Sequence, residues 1–356
     1  MKRIGYIYEK LISIDNCKNA ILEASKHKKN RKLVRKILND IDFYANDLSK
    51  RLQNADYLKP CIRKMIKDNS SQKEREIEIP PFYPNQCSHH AIMRVLKPII
   101  LKSSYYWSCA NIPNRGIKQA AIGVERATKR DAKHSKYCVK LDIKKFYPSI
   151  NHEKLKECLK RKIKDKKFLQ VIFYIIDYHE NGLPIGNFTS PWFAELFLQD
   201  LDYYIKEILK TRYYVRYADD MVLIDNNKRK LRKVMYKIME FTNEKDLTIK
   251  SNYQLFKIYK NGKGRKIDFV GRCFAKKFTT IRKRRALKFI RQSRKIKKNL
   301  VQNKSIPFKT AAGFISRSNC LKYTKSRGLK EKYYNIINIK ILKEVISNES
   351  KRKRNA

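Results

Sequence analysis

Apolar residues recur at helical spacing through the first sixty positions. Ile21, Leu22, Leu33, Val34, Ile37, Leu38 and Ile41 stand among lysines and arginines, and Asp15 is placed to cap a helix start. Prolines 80, 81 and 84 end that pattern; Ala91 to Leu101 then predicts a helix interrupted near Pro98, and Pro113 to Gly116 a loop. From Tyr137 the period shortens. YCVKL (137–141) predicts a strand ending in Asp142, with Pro148 close behind, and Leu155 to Ile176 predicts two helices. GLPIG (182–186) reads as a turn, after which Ser190-Pro191 opens an amphipathic helix through Ile205, proline being well suited to a first helical turn. Tyr213–Tyr217 and Met221–Ile224 are β-prone runs separated by Ala-Asp-Asp, a hairpin pattern. Leu231 to Phe241 predicts a helix; Leu247–Ile249, Phe256–Ile258 and Ile267–Phe274 predict strands. Strands and helices are mixed rather than strictly alternating, which favours α+β over a doubly wound sheet. No internal repeat is visible, so a solenoid is set aside.

Charge changes the picture. The 356 residues carry 84 Lys plus Arg against 33 Asp plus Glu, a formal +51 that repels itself unless an anionic partner compensates. Nucleic acid is the commonest such partner. With 42% hydrophobic residues, 22 Tyr and 16 Phe, the chain is expected to fold rather than behave as a disordered basic tail. The apolar run Val171–Ile176 is too short to span a bilayer, and MKRIGYIYEKLISIDN lacks the apolar core of an export signal. Eight Cys at 17, 61, 87, 109, 138, 158, 273 and 320 form no CxxC pair or zinc-type cluster, so reduced thiols and a cytoplasmic location are expected. Between Phe269 and Lys330 there are 20 Lys plus Arg and no acid. Ala286, Leu287, Phe289, Ile290, Ile296 and Leu300 keep an apolar stripe through that run, predicting helix with one buried and one very basic face. A charge run is often only a solvated surface, but one sign over such a length with interleaved aromatics fits a nucleic-acid surface better.

Against this background three acids stand out. Asp142 ends one predicted strand, and Asp219 with Asp220 sits at the turn between two others. Asp-Asp at a turn can be local turn chemistry alone. If the strands are neighbours, however, the three carboxylates converge and need a cation between them. Hard oxygen ligands with open positions suit Mg²⁺, with Mn²⁺ as an alternative. Two such ions about 4 Å apart activate an attacking hydroxyl and stabilise a leaving pyrophosphate. A polyanionic partner and a paired-metal site point together to nucleotidyl transfer.

YADD (217–220) within YVRYADDMVLI resembles the catalytic hairpin of reverse transcriptases. VKLDIKKFYPSI around Asp142 resembles the first catalytic motif of that family, and GLPIGNFTSPWFAELFLQDLD its template- and nucleotide-binding motif, over about residues 70–340. The resemblance implies an RNA-directed DNA polymerase of right-hand α+β fold: an N-terminal basic helical region (1–70), fingers and an antiparallel-sheet palm (71–275), and a basic helical thumb with a tail (276–356). It implies that Asp142 and Asp219 bind both metals, assisted by Asp220. It places Tyr147 under the nucleotide sugar, blocking a 2′-OH; the alternative is a core aromatic, a place that neighbouring Phe146 can fill instead. Arg75 in QKEREIEIP and Arg115 in IPNRG resemble residues gripping the triphosphate, for which a bidentate guanidinium is suited. Lys250 resembles a lysine that neutralises pyrophosphate, and is otherwise a solvated side chain. Phe269-Val270-Gly271 resembles the primer grip, and reads equally as a buried strand with a bulge.

Ile185, Gly186, Ser190 and Pro191 bear on subtype. Many relatives carry Gln before the glycine, whereas IGNFTS resembles enzymes of diversity-generating retroelements, which copy a template RNA with errors at adenines. An apolar Ile185 forgoes the amide's hydrogen bonds, consistent with weaker base discrimination. Pro191 departs from that subfamily, which usually has Gln there. The alternative is the reverse transcriptase of a bacterial antiphage defence system or retron, working with a dedicated non-coding RNA. Implied partners are template or non-coding RNA, deoxynucleoside triphosphates, cDNA and a small basic accessory protein, in a bacterial cytoplasm and from a bacterial or phage gene. A non-catalytic RNA-binding subunit remains as a reading from another class.

Overall fold

The N-terminal periodicity folds as helices α1 (Tyr8–Ile12), α2 (Ile14–Ala24), α3 (Lys32–Asn39) and α4 (Ile41–Gln53). This computed structural model describes residues 3–67, 74–319, 321 and 324–355; Cys320 lies outside them. Ser13, not Asp15, caps α2, its Oγ accepting the Asn16 N–H at 3.3 Å. Asp15 sits in the first turn, where its charge favours the helix dipole. A hairpin that periodicity did not predict follows: β1 (Ile62–Lys67) and β2 (Glu74–Ile79), antiparallel with Arg63 opposite Glu78. Its exposed, charged strands carry no buried alternation to read. α5 (Cys87–Lys102) runs unbroken through Pro98. Proline removes one hydrogen bond there, but the buried side chains of Val95, Leu96, Ile99 and Ile100 hold both halves in place.

The central sheet has the order β4-β5-β3-β6, all neighbours antiparallel: β3 (Tyr137–Asp142), β4 (Tyr213–Tyr217), β5 (Asp220–Asp225) and β6 (Gln254–Lys257). Alternate residues feed two cores, the period-two rule of a strand. Val139, Leu141, Tyr214, Met221 and Leu223 join the main core with α5, α7 (His152–Lys160), α8 (Lys166–Asp177), α9 (Ser190–Tyr203) and α10 (Lys228–Glu244). Cys138, Val215, Val222 and Ile224 face the other way, onto α6 (Gly116–Glu125) and the side chains of Ile267, Phe269 and Phe274. With both faces covered, a one-residue register slip would move every apolar side chain into the wrong core.

Two expectations are corrected beyond the sheet. Leu247–Ile249 is no strand but a single bridge, Ile249 to Ile143. Ile267–Phe274 is two strands, β7 (Ile267–Phe269) and β8 (Arg272–Phe274), folded back at Val270-Gly271, both with positive φ (43° and 78°). β9 (Thr279–Ile281) completes that small sheet. The basic C-terminal run is helical as expected: α11 (Lys283–Val301), α12 (Phe308–Ser318), α13 (Arg327–Tyr333) and α14 (Ile339–Asn355). These close on their own core, in which Phe289 stacks on Phe314 at 4.9 Å. Among the described residues no helix is long and apolar enough to cross a membrane.

Candidate active site: three aspartates at the end of a buried sheet

Register brings the predicted carboxylates together. Asp142 ends β3 directly opposite Asp220, which starts β5, and Asp219 lies in the turn between β4 and β5. Ala218 enters that turn at φ 54°, a left-handed conformation costing a non-glycine residue about 1–2 kcal/mol. The neighbouring Arg216 holds it there: Nη1 donates to the Ala218 carbonyl at 3.1 Å. Arg216 is itself 1% exposed. Its Nε and Nη2 donate to Asp202 at 2.7 and 2.5 Å, and Nη2 also donates to Glu195 at 3.0 Å. The Tyr214 hydroxyl donates to Asp202 and the Ser108 hydroxyl to Glu195, so the buried charges are paired and hydrogen-bonded except at Glu195 Oε1, which has no partner among the described residues.

Two lysines face the aspartates. Lys250 Nζ donates to Asp142, and the Lys250 N–H donates to the Asp142 carbonyl at 2.8 Å. Lys140 Nζ lies 3.4 Å from Asp220 and donates to the Asp268 carbonyl at 2.7 Å. Burial raises the Asp220 carboxyl to about 7, with Lys140 opposing and Asp142 reinforcing the rise. Asp219 is raised too, first by burial and then by Asp142. A carboxyl whose folded pKa exceeds its unfolded value adds stability that is full below the unfolded value, near 4, and lost as pH rises through the folded one. Without divalent metal, the parent protein is therefore expected to lose more stability between about pH 4 and 7 than Asp220→Asn does, as read by urea unfolding. Parallel pH profiles would contradict this assignment.

Among the described residues no three His, Cys, Asp or Glu side chains form a preassembled metal cage. The donor set nevertheless fits a hard divalent ion. Asp142 and Asp220 face each other with Asp219 in the adjoining turn, their charges act on one another, Asp220 Oδ1 is buried without a hydrogen-bond partner, and two lysines supply positive charge at the spot. A few carboxylates with places left for phosphate and water are what Mg²⁺ takes. Asp142, Asp219 and Asp220 are the side chains that would hold it.

Around the aspartates, Tyr147 and Phe146 both line a small cavity with Asn111, Pro191, Glu195 and Ala218; Phe146 is buried in the main core and Tyr147 is partly buried against it. Burial and the Asp219 charge push the Tyr147 hydroxyl up to about 12. Ser190 is buried in the first turn of α9 beside Pro191. Ile185 is half-buried, and its carbonyl accepts the Glu78 N–H at 2.7 Å. Gly186 has φ 127°, and a Cβ there would collide with the Glu78 carbonyl, so the loop requires glycine. Arg75 is exposed on β2, and its charge reaches Asp219. Arg115 Nη1 donates to the Tyr105 and Ser108 carbonyls at 2.5 and 2.9 Å, so this guanidinium also braces the loop before α6. Phe269 is fully buried in the second core, which fits the buried-strand alternative for its side chain; Val270 and Gly271 form the turn.

The sequence profile of reverse transcriptases (RNA-dependent DNA polymerases) matches residues 66–271, more than half of the chain. The chain belongs to the reverse transcriptase family. It is 31% identical over 162 residues to the retron Ec73 reverse transcriptase of Escherichia coli, covering 42% of this chain and 49% of that protein. It is 27% identical over 162 residues to the group II intron-encoded protein LtrA of Lactococcus lactis subsp. cremoris, covering 43% of this chain and 26% of that protein. The chain thus spans half or less of the length of these curated relatives. Its fold is similar to apo telomerase from Candida tropicalis, with TM-score 0.51 and 16% identity over 83% of this chain and 58% of the other.

In the family's right-hand terms, the four-stranded sheet is the palm and the basic C-terminal helices are the thumb. Sequence reading missed the residues that hold the palm turn in place. Arg216 carried a signal, being a charged residue in the middle of an otherwise apolar strand. So did Glu195 and Asp202, acids seven residues apart and hence on one helix face. Lys140, a charged residue within apolar YCVKL, carried the same signal as Arg216; Glu78 gave no comparable sign.

Proposed function

We propose that the chain performs RNA-templated DNA synthesis by nucleotidyl transfer. The observation that carries this is Asp142 facing Asp220 beside Asp219, on a sheet that lies within the family match. Magnesium, when bound, would supply Lewis-acid activation of the primer hydroxyl and charge neutralisation on the leaving pyrophosphate. The chain's own residues do the rest. Asp142, Asp219 and Asp220 set the position of the positive charge. Tyr147 closes the floor beside the sugar and thereby favours deoxynucleotides. Arg75 and Lys250 bring cationic side chains toward the triphosphate, with Arg115 behind them. Val270 and Gly271 offer backbone to the primer strand, and the thumb's basic face takes the template–product duplex. RNA, deoxynucleoside triphosphates, cDNA and a small basic accessory protein are the partners of this reading. A bacterial cytoplasm belongs to it as well, as does the division into 1–70, 71–275 and 276–356, except that the β1–β2 hairpin pairs across the 70/71 boundary and is placed with the fingers.

Within that activity, Ile185 in place of an amide supports an error-prone enzyme of the diversity-generating kind. The retron similarity and Pro191 favour the second reading, a retron or defence enzyme bound to its own non-coding RNA. Sequencing the product separates them. Purified protein is incubated with Mg²⁺, four deoxynucleotides and a primed RNA containing every base. Errors concentrated opposite template adenine, reduced several-fold in Ile185→Gln, support the first reading. Faithful or template-restricted cDNA supports the second, and absence of DNA overturns both.

A further inference from the structure

Glu78 lies outside the proposed chemistry yet is a buried acid, placed on β2 of the fingers hairpin where that strand meets the 185–187 loop. Its main chain engages the loop twice: its N–H donates to the Ile185 carbonyl at 2.7 Å, and its carbonyl occupies the space that Gly186 leaves open. Its carboxylate engages the loop again. Oε2 accepts from Asn187 Nδ2 at 3.4 Å, and Oε1 lies 3.4 Å from His179 Nδ1 and 3.7 Å from Arg63 Nε. Asn187 and His179 are in turn 3.3 Å apart, closing a ring of three side chains. The far end of the loop is tied to α5, where Phe188 stacks on His90 at 4.0 Å and 9°. Arg75, three residues before Glu78 on the same strand, is the hairpin residue whose charge reaches Asp219. β2 therefore carries both an arginine whose charge acts on Asp219 and the acid that contacts the loop bearing Ile185.

We infer that Glu78 is a positioning residue that locks the fingers hairpin to the templating loop and so sets how strictly the pocket judges a base pair. The side-chain contacts sit at the long end of hydrogen-bond range, where each is weak. The carboxylate therefore tunes the pose of a loop whose path the main chain already fixes. This deepens the polymerase reading above and rests on it for its effect on discrimination, but the mechanical coupling does not need catalysis.

The test compares Glu78→Ala and Glu78→Gln in the full chain by single-nucleotide extension on primed RNA and by hydrogen exchange. Glu78→Ala is expected to lower the ratio of correct to incorrect kcat/KM roughly five- to tenfold, mainly through KM for the correct nucleotide, with kcat within about twofold. Glu78→Gln keeps an acceptor for Asn187 and should fall between. A role in stability alone would lower kcat through the active fraction and leave KM and discrimination untouched, overturning the inference. Exchange of the amides of 183 and 185–188 should quicken in Glu78→Ala while strands 137–142 and 220–225 stay protected. Unchanged loop exchange overturns the coupling whether or not DNA is made. If the parent makes no DNA but the loop is loosened, the polymerase reading fails and the coupling stands.

Discussion

Replacing Asp219 and Asp220 together with alanine is expected to abolish DNA synthesis, by roughly a thousandfold or more, while RNA binding persists near the parent level. Two of the three oxygen-donor side chains disappear, and neither Asp142 nor the lysines can replace them. The fold should tolerate the change, because the turn lies at the end of the sheet and burial opposes charge on both residues. Relief of that opposition makes the variant at least as stable as the parent in metal-free buffer. Primer extension, filter binding and urea unfolding on one preparation measure all three quantities. Synthesis that survives the double change would remove the aspartates from the mechanism, and RNA binding lost with it would make the turn part of the RNA surface.

The second large effect belongs to Arg216. Arg216→Met should cost about 3–5 kcal/mol in denaturant unfolding, since it leaves Asp202 and Glu195 buried beside an empty place where their cation was. Burial already pushes the Glu195 carboxyl upward, and the Arg216 charge is what opposes that. Replacing Arg216, Glu195 and Asp202 together by apolar side chains of similar size should recover most of the stability, because no charge is then left unpaired. It should not recover synthesis, because the Ala218 carbonyl still lacks its donor and the strained turn beneath Asp219 is free to relax. A stable and fully active triple variant would reduce the network to packing.

The readable part of this molecule is the part where physics acts locally. β-prone runs at 137–141, 213–217 and 221–224 betrayed a sheet, and the acids at their ends betrayed where its carboxylates meet. The β1–β2 hairpin escaped because its strands lie exposed and charged, with no buried face to impose a period. Pro98 misled because tertiary packing, not local preference, carries α5 past it. Ile267–Phe274 looked continuous because apolar residues flank a two-residue turn in which only one residue is glycine. Arg115 was read for its charge, while its geometry ties it to nearby carbonyls. The Glu78 lock joins residues more than a hundred positions apart, a relation that no local pattern encodes.

Of the 84 lysines and arginines, only Arg216 and Arg272 are buried among the described residues. The two cores on either side of the sheet, which aim the aspartates, are otherwise built without cationic side chains. Selection can therefore redraw the charged exterior while the frame that holds the three aspartates is inherited unchanged.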